Sequence, residues 1–251
     1  MPRMPNIYLE AQYQGRLWTP LGSPEIVFWA DGRDPTTMTL EAGGKISSWR
    51  DKFGRELTQT VDANRPLLQL DSGGFPNGAG GVATGALSTA NVIVSTSYTF
   101  ILLMTDKASG QKIPFYNGNS ASSGWGNLLN YNSSNAYHGL HGGVAFLNTG
   151  APRQINSVIC FTQWRDGAAN VNPIEISNVR YNPSASSPNT PSGTLSIAAA
   201  EPILHGAIVS NRAMTDYERN RAEAFLWWHH GFGDQIPKVN PFCNRPPLIG
   251  D

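Results

Sequence analysis

Short apolar runs recur along the chain at 25–30, 97–104, 126–131, 155–161, 174–180 and 203–209, separated by glycine, asparagine, serine and proline. Each run has strand length and each spacer has turn chemistry, so the body reads as all-β. The run Tyr98-Thr99-Phe100-Ile101-Leu102-Leu103-Met104 is apolar on both faces and predicts a central strand covered on both sides. Ile174-Glu175-Ile176-Ser177 alternates instead, which predicts one buried and one wet face. The period changes only near the end. Thr215 followed by Glu218 spells a capping box, and Gly231 offers a left-handed stop, so 215–231 predicts one helix. Tyr217, Ala224, Phe225 and Trp228 fall on one stripe of it and are expected to dock on the sheet.

Two stretches carry a resemblance. His205-Gly206-Ala207-Ile208-Val209-Ser210-Asn211-Arg212-Ala213-Met214-Thr215-Asp216-Tyr217-Glu218-Arg219, running on to Phe225-Leu226-Trp227-Trp228-His229-His230-Gly231-Phe232, resembles the C-terminal signature of concanavalin A-like (laminin G-like) jelly-roll domains of bacterial surface and bacteriophage structural proteins. Ile26-Val27-Phe28-Trp29-Ala30-Asp31, the segment 43–54 and Asn64-Arg65-Pro66 resemble that family's opening strands, in the same order. The likeness spans 18–233. It implies an all-β concanavalin A-like jelly-roll sandwich with one C-terminal α-helix, flanked by an N-terminal arm, 1–17, and a proline-rich C-terminal arm, 234–251. Fold alone does not decide function, because such sandwiches host lectins, glycosidases and structural modules.

Composition narrows the partners. The chain has 251 residues, enough for one large β domain that buries roughly 70–75% of its unfolded surface. Charged residues make up 14% and the net charge is zero, so no nucleic acid and no anionic membrane is implied. The first twenty residues hold no apolar core of signal-peptide length, which leads us to expect synthesis in a host cytoplasm. Cys160 lies in an apolar run and Cys243 in the proline-rich tail; an inert buried thiol and an incidental one are expected.

Catalytic chemistry is poorly supported. Glycosidases of the resembled family place carboxylates on one strand as Glu-x-Asp-x-x-Glu, and no such triplet occurs here. Glu175 is the one carboxylate in a convincing strand, without an acidic neighbour two or four residues away. No catalytic residue, cofactor or metal is therefore expected. Asn77-Gly78 opens a glycine-rich stretch better read as a turn than as a phosphate loop. His138 and His141 read as loop histidines, and His229 and His230 as structural residues favoured by a helix C-terminus. Asp31 and Asp34 flank a turn and lack the oxygen-rich pattern of a calcium loop.

Residues 117–143 mix aromatic rings with amides, as sugar-binding loops do. Trp125, Asn127, Asn130, Tyr131, Tyr137 and His138 are the candidate glycan contacts, with Trp125 expected to be exposed, whereas Trp18, Trp29, Trp49, Trp164 and Trp228 are expected in the core. Ile7, Tyr8, Leu9, Ile236, Val239, Phe242, Leu248 and Ile249 give the two arms apolar anchors for the grooves of neighbouring subunits. With the resemblance, these residues lead to the expectation of a non-enzymatic structural protein of a tailed-bacteriophage virion, a capsid decoration or a tail or neck component. Its partners would be other virion proteins and copies of itself. The alternative is a carbohydrate-binding module, or an inactive glycosidase relative, for a host surface glycan.

Overall fold

A computed structural model describes residues 16–81, 85–107, 110–118, 124–131, 137–142, 146–167, 173–182, 191–197 and 201–251. The architecture is an antiparallel β-sandwich with one C-terminal helix. Its first layer is built around Tyr98–Thr105, which pairs with Ile203–Ser210 on one side and Val158–Arg165 on the other. Ile26–Asp31 extends this layer beyond Ile203–Ser210. Ile174–Ile176 and Val179–Tyr181 extend it at the opposite end. The second layer runs from Phe146–Pro152 through Tyr137–Gly142, Trp125–Tyr131, Lys112–Gly118 and Thr194–Ile197 to Leu87–Thr89. It continues through Glu56–Thr58 into Lys45–Arg50 and Met38–Glu41.

Alternation along the central strand creates two cores. Phe100, Leu102 and Met104 face the second layer and pack with its Phe115 and Trp125, beside Phe28 and Phe161 of their own layer. Ile101 and Leu103 face the other way, into a cluster with Trp29, Ile208, Phe225, Leu226 and Trp227. The strand is thus covered on both faces, as its unbroken apolar run predicts, and what covers the outer face is the helix Asp216–His229, here α1. Its capping box forms: the Glu218 amide donates to the Thr215 hydroxyl at 3.3 Å, and the Thr215 amide donates to Glu218 Oε2 at 2.8 Å. Gly231 ends it at φ +76.

Several expectations need correction. Trp125 is buried, not exposed; its ring stacks on Tyr98 with centroids 4.3 Å apart. Asn77 and Gly78 lie inside the strand Pro76–Gly80, not in a turn. Gly78 is required there because a Cβ would sit 2.6 Å from the Leu204 carbonyl oxygen, so that only bare backbone lets this strand come so close to Ile203–Ser210, with which it pairs. The run 174–180 is two strands joined at Ser177 and Asn178, both with positive φ, the signature of a two-residue hairpin turn. Its polar face is not wet: Glu175 is buried. Tyr217 leaves the helical stripe and is 46% exposed, whereas Trp227, off that stripe, is fully buried.

The tail after the helix does not stand away from the body. Ile236 and Phe242 are buried in the outer core of their own chain, so neither is free to anchor in a neighbour. Trp228 Nε1 donates to the Phe242 carbonyl at 3.0 Å, and the Trp18 amide donates to that of Pro247 at 3.0 Å. Leu17 and Leu248 form a β-bridge. Val239 and Ile249 remain exposed, while Ile7, Tyr8 and Leu9 lie outside the described residues.

Candidate functional site

Strand Ile26–Asp31 sends Phe28 and Ala30 into the inner core, and alternation turns Trp29 and Asp31 toward the helix. The last helical turn brings Phe225, Trp228 and His229 to the same place, at the spacings of three and four residues that share a helix face. Between them opens a cleft of about 210 Å³, closed at its edges by Trp18 and by Pro246 and Pro247 of the tail. Its wall is aromatic: Phe225 meets Trp29 and Trp18 edge to face, with centroids 5.3 and 5.7 Å apart. Its polar rim includes Thr19, Asp31, Lys52 and His229.

Asp31 organises that rim. Its Oδ1 accepts the Arg33 amide at 3.0 Å and lies 2.9 Å from His229 Nε2, while Lys52 Nζ stands 3.5 Å from Oδ2. Lys52 also pairs with Asp34 and sits 5.4 Å over the Trp29 ring. Burial alone would raise the Asp31 carboxyl, but His229, His230 and Lys52 outweigh it and hold the group well below the usual carboxylate range. His230, fully buried, is pushed well below the ordinary imidazole value by desolvation, with His229 adding to the effect. Its Nδ1 lies 3.2 Å from Asn77 Oδ1.

A second, polar depression of about 160 Å³ lies at the helix start, lined by Glu175, Arg180, Asp216 and Asn220 among others. Arg180 donates to Glu175 Oε1 at 2.7 and 2.9 Å, which neutralises the one strand carboxylate that the sequence singles out. Beneath it Glu223 is sealed from solvent and pushed up to about 8, chiefly by burial and further by Glu175. Thr162 Oγ1 and Asn178 Nδ2 donate to it at 2.6 and 3.2 Å.

Among the described residues, the candidate glycan contacts of 117–143 are not gathered on an exposed surface. Asn127 and His138 are buried with Trp125, and Tyr137 is half-buried; the side chains of Asn130 and Tyr131 lie outside the described residues. Of the tryptophans expected in the core, Trp18 and Trp29 are buried, whereas Trp228 is only partly buried against it; the sequence reading missed the cleft that all three border. Its signals were present: Trp29 and Asp31 share one strand face, and Phe225 and His229 one helix face. What was not visible is the meeting of Asp31 with His229, 198 residues apart.

No protein-family model matches the chain, and no curated protein matches it in sequence. Solved structures do match in shape. Trypanosoma rangeli sialidase superposes with a TM-score of 0.52 at 12% identity, over 88% of this chain and 38% of that one. A structure of botulinum neurotoxin type C, whose cell entry depends on interaction with two ganglioside molecules, gives 0.53 at 11% identity, over 80% of this chain and 51% of that one. A GH54 α-L-arabinofuranosidase gives 0.51 at 11%, over 74% and 51%. This chain thus spans about half or less of the length of the proteins it matches. At such identities the likeness is one of fold alone: an antiparallel β-sandwich.

Proposed function

We propose that this chain is a non-catalytic carbohydrate-binding module, and that the cleft between Trp29 and the helix end takes a single sugar ring. The observation that carries this reading is the cleft's composition, aromatic faces on one wall and Asp31, Lys52 and His229 on the rim. Sugars present apolar C–H faces and a fringe of hydroxyls, and a wall of rings with a few fixed donors and acceptors matches both. At about 210 Å³ the space falls below the roughly 300–1,000 Å³ of pockets for drug-sized ligands, so one ring is the fitting occupant. The fold neighbours support the same class, since they include a sialidase, an arabinofuranosidase and a toxin that interacts with gangliosides.

Hydrolysis is not part of the proposal. A glycosidase normally needs two carboxyl groups flanking the bond, and Asp31 is the one carboxylate lining the cleft among the described residues. Among the anchors expected for assembly in a virion, Ile236 and Phe242 are buried in their own chain, which favours the binding reading over an assembly role.

Binding to a glycan array, followed by calorimetry on the best ligand, tests the proposal. Trp228→Ala and Lys52→Ala, each shown to be folded by circular dichroism, should weaken binding about tenfold or more through lost stacking and lost hydrogen bonding. Glu175→Gln, remote from the cleft, should change nothing. Absence of binding to any glycan, or binding indifferent to both cleft variants, would refute it.

A further inference from the structure

Three metal-competent side chains converge at the floor of the cleft. One ligand atom each from Asp31, His229 and His230 lies within 4.8 Å of the other two. Two of them, Asp31 Oδ1 and His229 Nε2, are already 2.9 Å apart. Ligands on a tetrahedral ion with bonds of about 2.0–2.1 Å stand roughly 3.3 Å from one another, so closure asks for a shift of about 1.5 Å at most.

Two independent features concern His230. Its Nε2 is buried and has no hydrogen-bond partner. A buried polar atom left this way is costly in a native structure and calls for an explanation. Gly206, which sits directly across from Asp31 in the strand pairing, explains where that atom points: a Cβ there would lie 2.7 Å from His230 Nε2. The missing side chain therefore opens the space beside Asp31 that this nitrogen occupies. The opposite ring nitrogen faces Asn77 Oδ1 at 3.2 Å. A proton on Nδ1, donated to Asn77, leaves the lone pair on Nε2, the arrangement that outer partners impose on metal-bound histidines.

From this geometry we propose that Asp31, His229 and His230 form a site for one divalent transition metal of the zinc class. Two imidazoles and one carboxylate suit such an ion far better than calcium or magnesium, which take oxygen donors. Because Asp31 and His229 also line the cleft, the fourth position is open to water or to a ligand oxygen. Lys52, at 3.5 Å from Asp31 Oδ2, is the cation now balancing that carboxylate, and its pairing with Asp34 gives it a partner to keep when a metal arrives. The site stands on the protein's own side chains and does not depend on the sugar reading.

The test uses the full chain, stripped with a chelator and titrated with Co²⁺ and then Zn²⁺ in the absence of any sugar. Visible absorption of tetrahedral cobalt should rise to one equivalent and be displaced by zinc. His230→Ala and Gly206→Ala, the second filling the space beside the nitrogen, should each weaken binding at least tenfold while circular dichroism shows the fold retained. Removing the outer partner, Asn77→Ala, should weaken it by about 10–100-fold. Lys52→Ala, its fold checked in the same way, should tighten binding by removing the cation that competes for Asp31. No cobalt spectrum, or affinities unchanged in His230→Ala and Gly206→Ala, overturns the site. Should both buried variants misfold, an unchanged affinity in Lys52→Ala does so.

Discussion

Glu223 shows how far burial can reset a single residue. It occupies the helix face that packs on Val158–Arg165, out of reach of water, and both its oxygens already accept hydrogen bonds. Desolvation disfavours the charged form, with the result that its carboxyl holds a proton up to a pH of about 8, against 4.5 for a free glutamate. Between those two values the folded state binds more protons than the unfolded one, and stability falls as pH rises through that window. Glu223→Gln, which mimics the protonated form, should remove this slope: urea unfolding of the variant should be more stable than the parent at pH 8 and converge on it toward pH 4.5. A parent and variant that differ equally at every pH would show that Glu223 does not titrate there. His138 has the opposite sign. Burial depresses it to about 4, so its contribution is lost as pH falls from 6.5 through that value.

At the scale of the element, the helix is held on two flanks instead of one. A helix with a single buried stripe should expose what lies beside it, as Tyr217 is exposed. Here the tail returns across the outer side, with Ile236 and Phe242 in the same core as Phe225, Leu226 and Trp227, and the buried arc widens. Trp227 thereby becomes the central residue. Its replacement by alanine should cost about 3–5 kcal/mol, the usual effect of deleting a large buried aromatic, whereas Tyr217→Ala should cost less than about 1 kcal/mol. Denaturant unfolding of the pair decides it, and equal effects would return the burden to the original stripe.

At the scale of the whole molecule, the C-terminal tail and the segment Arg16–Trp18 are part of the fold. The segment from Arg16 to Trp18 is tied to the tail by the Leu17–Leu248 bridge and by the Ile249 amide, which donates to the Arg16 carbonyl at 2.6 Å. Removing 236–251 uncovers Trp18 and Phe225 and withdraws the buried Ile236 and Phe242, each worth about 1.5–3 kcal/mol. The truncated chain should therefore lose about 3–6 kcal/mol of stability, read as a lower denaturant midpoint, and lose the cleft. An unchanged midpoint would instead mark the tail as a separable arm and revive an assembly role.

Local periodicity settles what depends on neighbours in sequence. The sandwich class, the doubly covered strand Tyr98–Thr105, the capped helix and its stop at Gly231 were all legible, because alternation, capping and left-handed turns are enforced within a few residues. Pairings between distant segments were not. Trp125 and His138 look like a sugar platform in sequence, yet the closing of one layer on the other buries both. Asp31, His229 and His230 look like unrelated structural residues, yet the docking of a helix end beside strand Ile26–Asp31 makes them one site. A chain's own pattern fixes which face a side chain takes; only tertiary packing decides what that face meets.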